Sequence, residues 1–302
     1  MPSGKGIPRT VVRDFGEVSI MRTVIVGGRS SLGIALAPVM RAYGEVITAG
    51  RSGCDIKLDL NDSIEQMALP AGVDAVIHTA AHFGGSTIKD MLEAEEVNVL
   101  GTLKLCQAAV QSRVGYFVLI SSMSAWLGED SPYYGIYSVS KKHAEDVARL
   151  YCSAHNLPLA VLRPSQIYGN GDSFRRHQPF LYAMADRAET GDDIVIHGSR
   201  DALRNYIHVE DVANVIARVV QHRVQGVYSC LHTLDVKYSE IAMAVLKAFN
   251  GRGAIRFLNE KADIPDNIFP QDHSLYKLID YYPRIPIEHG IKMLAHFRGV
   301  RE

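Results

Sequence analysis

The sequence predicts an α/β protein in which a doubly wound parallel sheet is followed by a smaller mixed α/β lobe at the C-terminal end. Three observations support this fold class. Short β-branched runs alternate with helix-length segments from Met21 to Leu162, a glycine-containing turn separates the first run from the first helix, and the alternation loosens after Arg163-Pro164. Alternating strands and helices build parallel sheets through right-handed crossovers, and the doubly wound arrangement is the commonest result.

The first half of the chain contains strand-like runs separated by helical segments. The predicted strands are residues 23–26, 46–48, 75–78, 117–120 and 159–162. The predicted helices are residues 32–43, which Gly44 would end, residues 93–111 and residues 137–154. Short β-branched runs favour buried strands, whereas longer segments closed by glycine favour helices.

The second half of the chain alternates less regularly. Pro, Gly and Asn interrupt residues 165–200, where one helical segment is predicted near residues 180–188. A further helix is predicted at residues 209–221 and a short strand at residues 226–228. The sheet domain is therefore predicted at residues 21–165 plus about 201–226, and the smaller lobe at about 166–200 plus 227–302. Residues 1–20 lack the apolar core of a signal peptide and are interpreted as a leader or tag-like segment.

The composition is typical of an ordinary soluble globular protein. The 302 residues are 47% hydrophobic and 22% charged, with 32 basic and 33 acidic side chains and a net charge of −1. This balance excludes a disordered chain and predicts neither nucleic-acid nor membrane binding. The four cysteines form no C-x-x-C pair, so the sequence predicts no metal site and a cytoplasmic location.

The turn after the first strand has the pattern of a phosphate-binding loop. It reads Gly27-Gly28-Arg29-Ser30-Ser31-Leu32-Gly33. Between a strand and a helix, such a loop lets backbone N–H groups at the helix N-terminus hold a pyrophosphate. Ser30 replaces the middle glycine of the G-x-x-G-x-x-G spacing, and its hydroxyl could donate to a phosphate. A tight turn without a ligand is the alternative.

Two arginines indicate which dinucleotide the predicted site would bind. Arg51 follows the second strand, where an NAD site would have an acidic residue for the ribose 2′-hydroxyl, whereas an arginine accommodates a 2′-phosphate. Arg29 lies in the loop itself and could reach the same phosphate. Each could be a solvated surface residue, but the pair favours NADP, with NAD still possible.

A second group of residues predicts proton transfer. Tyr137 and Lys141 are four residues apart on a predicted helix, so their side chains share one face. A nearby ammonium group favours the phenolate and is expected to lower the pKa of Tyr137. Ser121 and Ser122 follow a strand, and a hydroxyl at that end could polarise a substrate carbonyl, since open α/β sheets bind ligands there.

With these motifs in order, the sequence resembles the extended short-chain dehydrogenase/reductases, which include nucleotide-sugar epimerases and reductases. The resemblance runs from Arg22 to about residue 295. Further segments that carry it are residues 58–60 (LDL), 78–81 (HTAA), 98–102 (NVLGT), 162–164 (LRP), 167–169 (IYG) and 204–212 (RNYIHVEDV).

The resemblance implies a Rossmann dinucleotide-binding domain, a substrate lobe and a role for particular residues. Tyr137 would exchange a proton with the substrate, Lys141 would bind the nicotinamide ribose, and Ser122 would bind the substrate oxygen, with Ser121 and Ser124 as competitors. The residues expected to bind the cofactor are Gly27, Arg29, Ser30, Ser31, Leu32, Gly33, Arg51, Asp59, Leu60, Ala80, Ala81, Tyr137, Lys141 and Pro164. Those expected to contact the substrate are His82, Ser124, His177 and Arg204, the last on the diphosphate of a nucleotide sugar.

Departures from the family pattern bear on the reaction. The family's 4,6-dehydratases have Asp-Glu after the catalytic hydroxyl residue, whereas Met123-Ser124 stand here, so that activity is rejected. Residues 261–265 (KADIP) lack the arginine that often binds the diphosphate. His82 and His177 are candidates for a second acid or base, with plain substrate contact or solvation as the alternative.

These observations predict an NADP-dependent oxidoreductase or epimerase that acts on a nucleotide-activated sugar, an activity of the kind used in polysaccharide biosynthesis. The alternatives are a carbonyl or hydroxysteroid-like reductase on the same fold and a non-catalytic NADP-sensing regulator. The intact Tyr137–Lys141 pair disfavours the regulator. The resemblance also implies a homodimer formed through the helices at residues 93–111 and 137–154, although packing on the sheet needs the same apolar residues.

Overall fold

The computed structural model describes residues 21–300; the predicted leader at residues 1–20 lies outside them. The strands are β1 Met21–Val26, β2 Gly44–Gly50, β3 Ile56–Lys57, β4 Ala75–His78, β5 Phe117–Ile120, β6 Leu159–Pro164, β7 Gln166–Tyr168, β8 Ile194–His197, β9 Leu203–Arg204, β10 Tyr206–His208, β11 Gly226–Cys230, β12 Val236–Lys237 and β13 Ile255–Leu258. The helices are α1 Ser31–Arg41, α2 Ile88–Ala94, α3 Gly101–Gln111, α4 Ile136–Ala154, α5 Pro179–Thr190, α6 Val209–His222, α7 Tyr238–Ala248, α8 Ser274–Ile279 and α9 Ile287–Phe297.

Within these residues, seven parallel strands form the main sheet in the order β11-β6-β5-β4-β1-β2-β3. Strand β1 pairs with β2 on one side and with β4 on the other, so the direction of winding reverses there. This confirms the predicted doubly wound Rossmann sheet. In such sheets the crevice at the carboxyl ends of the strands, beside the reversal, binds the ligand.

Both faces of the sheet are covered by helices, and β1 shows how the sequence achieves this. Ile25 is buried in the core that contains Leu36 of α1, whereas Val24 and Val26 are buried in the core that contains Leu105 of α3. Because successive strand side chains point to opposite faces, a continuous apolar run fills both layers. None of the helices within residues 21–300 is long and apolar enough to cross a membrane.

The boundary between the sheet domain and the smaller lobe differs from the prediction. Strand β11 pairs with β6 from Gly226 to Cys230, so the main sheet extends to Cys230 and the boundary predicted near residue 226 falls inside a strand. The lobe contains the short parallel pair β8–β13 and the antiparallel pair β9–β12, with α5, α7 and α9 packed nearby. Its strands at residues 194–197, 236–237 and 255–258 were not predicted.

Two predicted helix ends also differ. Gly44, expected to end α1, is the first residue of β2, where a side chain would collide with the carbonyl oxygen of Met21 on the neighbouring strand. The helix predicted at residues 93–111 starts at Ile88 and contains a π-helical turn at Glu95–Leu100 between α2 and α3. Such turns often mark functional sites, and this one lies beside the loop after β4.

Candidate active site

Two adjoining cavities lie at the carboxyl ends of the strands. The first, of about 390 Å³, is lined by residues that end β5 and β6, Ile120 and Pro164 among them. The second, of about 440 Å³, is lined by residues that end β1 and β2, including Val26 and Gly50. Ser30 lines both cavities, so a single extended ligand could occupy the two together.

The loop after β1 has the geometry of a phosphate cradle. Gly27 has a φ of +88°, and a Cβ there would lie 2.6 Å from the backbone nitrogen of Ala80. Only glycine fits this position, because it tolerates the left-handed backbone and the close approach of the next strand's end. A Cβ on Gly33 would likewise collide with the carbonyl of Gly27, so Gly33 supports the loop from beneath and lines neither cavity.

Ser30 explains how the loop works without its middle glycine. Its Oγ accepts a hydrogen bond of 3.0 Å from the Gly33 N–H and thereby caps α1. This cap uses a lone pair of the Ser30 oxygen, so the hydroxyl proton can be shared with the Thr79 hydroxyl, 3.1 Å away, or donated to a phosphate as predicted. Ser31 and Leu32, in the first turn of α1, line the first cavity. Their backbone N–H groups have no acceptor within the helix and are available to an anion.

Three arginines border the second cavity. Arg29 and Arg51 both line it as predicted from sequence, together with Asp59 and Leu60. A Cβ on Gly53 would lie 3.5 Å from the Arg29 Nε, so the Arg29 side chain packs over the loop that follows β2. Arg176, which sequence reasoning missed, reaches the same cavity from the loop before α5.

The predicted catalytic residues meet in the first cavity. Tyr137 and Lys141 line it from α4, and Ser122 lines it from the end of β5. Ser122 begins a short 3₁₀ turn at Met123–Trp126, and its Oγ accepts the Ser124 N–H at 3.1 Å. Ser124 also lines the cavity, with its hydroxyl 3.2 Å from that of Ser122.

The pKa of Tyr137 differs from that expected from the sequence. Burial raises the pKa of Tyr137 to about 12, opposed by a hydrogen bond with Ser122. Lys141 donates from Nζ to the Ile120 carbonyl at 2.7 Å, and burial lowers its own pKa to about 8. The expected lowering of the Tyr137 pKa by Lys141 is wrong for this structure, because desolvation of the phenol dominates.

His82 is held rigidly in the loop after β4. Its backbone N–H donates to the Oδ1 of Asn98 at 2.7 Å, and the Asn98 Nδ2 donates to the His82 carbonyl and to Ser140. The ring Nδ1 accepts the Gly84 N–H, which leaves the proton on Nε2, 3.3 Å from the Glu93 carboxylate. The structure thus places His82 at the second cavity rather than with the predicted substrate contacts.

An aromatic stack closes one side of the first cavity. The ring of Phe83 lies between Tyr137, 4.9 Å away at 15°, and His177, 3.8 Å away at 26°. Burial and the charge of Arg176 lower the pKa of His177, so the neutral imidazole predominates near pH 7. The sequence placed His177 near the substrate, but the aromatic partner that joins it to Tyr137 depends on tertiary contact.

Arg204 does not line either cavity. Its guanidinium donates to the hydroxyls of Tyr238 and Tyr133 at 2.7 and 2.8 Å, and to the carbonyls of Leu203 and Pro265 at 2.8 and 2.7 Å. The structure thus differs from the predicted diphosphate contact, because protein groups take up the donors of this buried side chain. It reaches the first cavity only through Tyr133.

Comparison with known proteins places this site in a family. Residues 23–230 match the profile of the NAD dependent epimerase/dehydratase family. The CDP-abequose synthase of Salmonella typhimurium is 22% identical over 53% of this chain, and the match spans about half of that protein (52%). The dTDP-D-glucose 4,6-dehydratase of Homo sapiens is 25% identical over 73% of this chain and 67% of that protein.

A solved structure shares the fold. The UDP-glucose 4-epimerase of Thermus thermophilus, determined as a complex with NAD, has a TM-score of 0.70 and 21% identity. The superposition covers 93% of this chain and all of the epimerase chain (100%). The Rossmann domain and the smaller lobe therefore have the arrangement of that enzyme.

Proposed function

The chain belongs to the NAD dependent epimerase/dehydratase family, and on that premise we propose that it is an NADP(H)-dependent reductase or epimerase of a nucleotide-activated sugar. The observation that carries the proposal is the meeting of Ser122, Tyr137 and Lys141 in one cavity, beside a second cavity bordered by the phosphate loop. The intact Tyr137–Lys141 pair disfavours the alternative of a non-catalytic NADP sensor.

The residues at the second cavity fit a dinucleotide. A side chain at position 27 would not fit the cradle, and the free N–H groups of Ser31 and Leu32, at the adjoining first cavity, suit a pyrophosphate. Arg29 and Arg51 would hold a 2′-phosphate, and Arg176 adds a third positive charge. When bound, the nicotinamide supplies or accepts a hydride at the substrate carbon.

Residues of the chain itself would manage the proton. In the reductive direction Tyr137 donates its phenolic proton to the carbonyl oxygen, which becomes a hydroxyl, and Ser122 hydrogen-bonds the same oxygen. Because the pKa of Tyr137 is raised to about 12, the phenol is protonated at neutral pH and ready to donate. The hydrogen bond with Ser122, which opposes the rise in the Tyr137 pKa, favours the phenolate that remains.

Residues after Ser122 support the exclusion of 4,6-dehydratase chemistry. Met123 is buried and Ser124 carries only a hydroxyl, so the positions where the dehydratases have Asp and Glu hold no carboxylate. Elimination of water from a sugar needs an acid and a base at those positions. The proposed preference for NADP, a cofactor used mainly for reduction, favours the reductase over the epimerase.

A small carbonyl compound without a diphosphate is the second candidate substrate. Phe83, Met123 and Phe174 give the first cavity an apolar lining, and Lys141 and His177 are the basic residues among its described lining. Arg204 is occupied by protein groups. A hydrophobic ketone would bury apolar area there without requiring a cation for a phosphate.

Thermal melting with ligands tests the proposal. The protein is melted with NADPH or NADH, alone and with UDP-, GDP-, CDP- and dTDP-sugars, and NADPH consumption is followed with ketosugars. A ligand at 100 times its Kd stabilises by about 2.7 kcal/mol. Stabilisation by NADPH that grows with one nucleotide sugar supports the proposal, whereas NADPH turnover only with hydrophobic ketones favours the second candidate.

Arginine variants test the cofactor separately. Arg51→Ala should weaken NADPH binding by about 10-fold or more and leave NADH binding nearly unchanged, because only NADPH has the 2′-phosphate. Arg149→Ala, an exposed residue of α4 that lines neither cavity, is the control. Tighter binding of NADH than NADPH by the wild type would contradict the assignment of NADP.

A further inference from the structure

A third residue shares the face of α4 that carries Tyr137 and Lys141. Glu145 follows Lys141 by four residues, so it lies one turn further along the same face. Its side chain is buried, 1% exposed, although it is a carboxylate. A charged group in such a position needs partners, since burying an unpaired carboxylate is strongly unfavourable.

Glu145 finds its partners on the two strands that end at the first cavity. The Ser121 hydroxyl, after β5, donates to Oε1 at 2.5 Å. Arg163 of β6 donates from Nε to Oε1 at 2.9 Å and from Nη2 to Oε2 at 2.5 Å. The carboxylate thus ties α4 to both strand ends through a bidentate ion pair, a geometry with high directional specificity.

These contacts converge on the strand end that carries Ser122. Lys141 binds the carbonyl of Ile120, Glu145 binds the hydroxyl of Ser121, and Ser122 follows directly. Two charged side chains of α4 therefore hold adjacent residues of one short segment. A change in either would move the Ser122 hydroxyl relative to Tyr137.

Glu145 also sets the charge around Lys141. Burial lowers the pKa of Lys141, and the negative charge of Glu145 opposes this by raising it. Of the other ionisable groups nearby, Tyr137 lines the same cavity as Lys141, Arg163 is paired with Glu145, and His78 on β4 is neutral because burial lowers its pKa to about 3. Glu145 is thus the anion that compensates the ammonium group.

We propose that Glu145 is a positioning residue of the active site, whose carboxylate, fixed by Arg163, offsets the positive charge of Lys141 and holds the segment that carries Ser122. This inference rests on the proposed function for its catalytic consequence. Buried ion pairs often add little net stability, so the presence of this one beside the proposed catalytic residues agrees with a role in the reaction.

The test compares Glu145→Gln, which removes the charge and keeps the shape, with Glu145→Asp, which keeps the charge. Asp146→Asn, on the exposed neighbour, is the matched control. Two profiles are measured, kcat against pH and the free energy of unfolding against pH. Two transitions reflect Lys141, the fall of kcat at high pH and the rise of the free energy of unfolding that begins near pH 8. In Glu145→Gln both should move to lower pH by about one unit or more. Glu145→Asp should restore both positions.

Ser121→Ala separates positioning from charge. It removes the hydroxyl that joins Glu145 to the strand end, so kcat should fall by about 10- to 100-fold with no shift of its pH profile. This variant also decides the matter if Glu145→Gln fails to fold. Unchanged profiles in Glu145→Gln, or an unchanged kcat in Ser121→Ala, would overturn the inference. A wild type without turnover would instead contradict the proposed function, and the unfolding profile would still test Glu145.

Discussion

At the scale of single residues, the proposed chemistry depends on the Tyr137 phenol. Tyr137→Phe keeps the ring that stacks on Phe83 and removes the proton donor. We expect kcat to fall by about 10²- to 10⁴-fold, with the stabilisation by NADPH retained. Steady-state kinetics and thermal melting measure the two effects. Tyr134→Phe, on an exposed tyrosine that lines neither cavity, should leave both unchanged; turnover by Tyr137→Phe near the wild-type rate would assign the proton to another group.

Lys141 gives a second prediction that needs no substrate. Its pKa is about 8 in the folded protein and ordinarily 10.5, so between these values the unfolded chain holds a proton that the folded protein has lost. The free energy of unfolding should therefore rise with pH in this window, by at most about 1.4 kcal/mol per pH unit. Urea denaturation at several pH values should show that Lys141→Met abolishes this rise, whereas Lys142→Met, on the exposed neighbour, retains it. Parallel wild-type and Lys141→Met curves would contradict the buried, shifted lysine.

Whether the sequence could predict the contacts of a residue depends on how far apart the contacting residues lie along the chain. The shared face of Tyr137 and Lys141 was predictable because it depends only on helical spacing. The contacts of Arg204 were not predictable, since its partners Tyr133 and Tyr238 lie 71 and 34 residues away in the sequence. Glu145 had a local signal, its place four residues after Lys141, but its pairing with Arg163 depends on how α4 packs against β6.

At the scale of secondary-structure elements, the π-helical turn at Glu95–Leu100 makes its own prediction. Asn98 is buried in this turn. Its side-chain amide accepts the His82 N–H and donates to the His82 carbonyl and to the Ser140 hydroxyl. Asn98→Ala should lower the free energy of unfolding by about 2 kcal/mol or more, because it leaves buried polar groups unsatisfied. Urea denaturation measures this, with Asn214→Ala as the control, because Asn214 is half-buried and its side chain bonds only the Glu210 carbonyl of its own helix. An equal, small effect of both variants would show that the turn does not depend on Asn98.

The same turn shows what the sequence could predict about elements. Helix α4 was predicted within one residue because its apolar pattern is regular. The helix before it was predicted as uninterrupted, since the π-helical turn arises from tertiary contacts of Asn98 and from the bond between the Thr102 hydroxyl and the Asn98 carbonyl. Periodicity records the apolar face of a helix, not a local widening of its turns.

At the scale of the whole molecule, the parallel sheet was predictable from the crossover rule, whereas the course of the chain after β6 was not. The chain leaves the sheet after Pro164, builds part of the lobe and α6, and returns as β11 beside β6. The return depends on the fit of β11 to the edge of the sheet. This course of the chain affects the active site. The loop that carries Arg176 and His177 lies between β6 and β11 and reaches both cavities.

The last prediction is a homodimer formed through the outer surface of α2, α3 and α4. Ile88 and Leu92 of α2 and Leu150 of α4 are large apolar side chains that this structure exposes, at 73%, 56% and 75%. Helices α2 and α4 contact each other, and exposed apolar side chains on neighbouring helices commonly mark interfaces. Light scattering after size exclusion should give twice the chain mass for the wild type and the single-chain mass for the double variant Leu92→Glu, Leu150→Glu. Met243→Glu, on the exposed face of α7, should stay dimeric. A monomeric wild type at micromolar concentration would contradict the homodimer, whereas a dimer that survives the double variant would place the interface elsewhere.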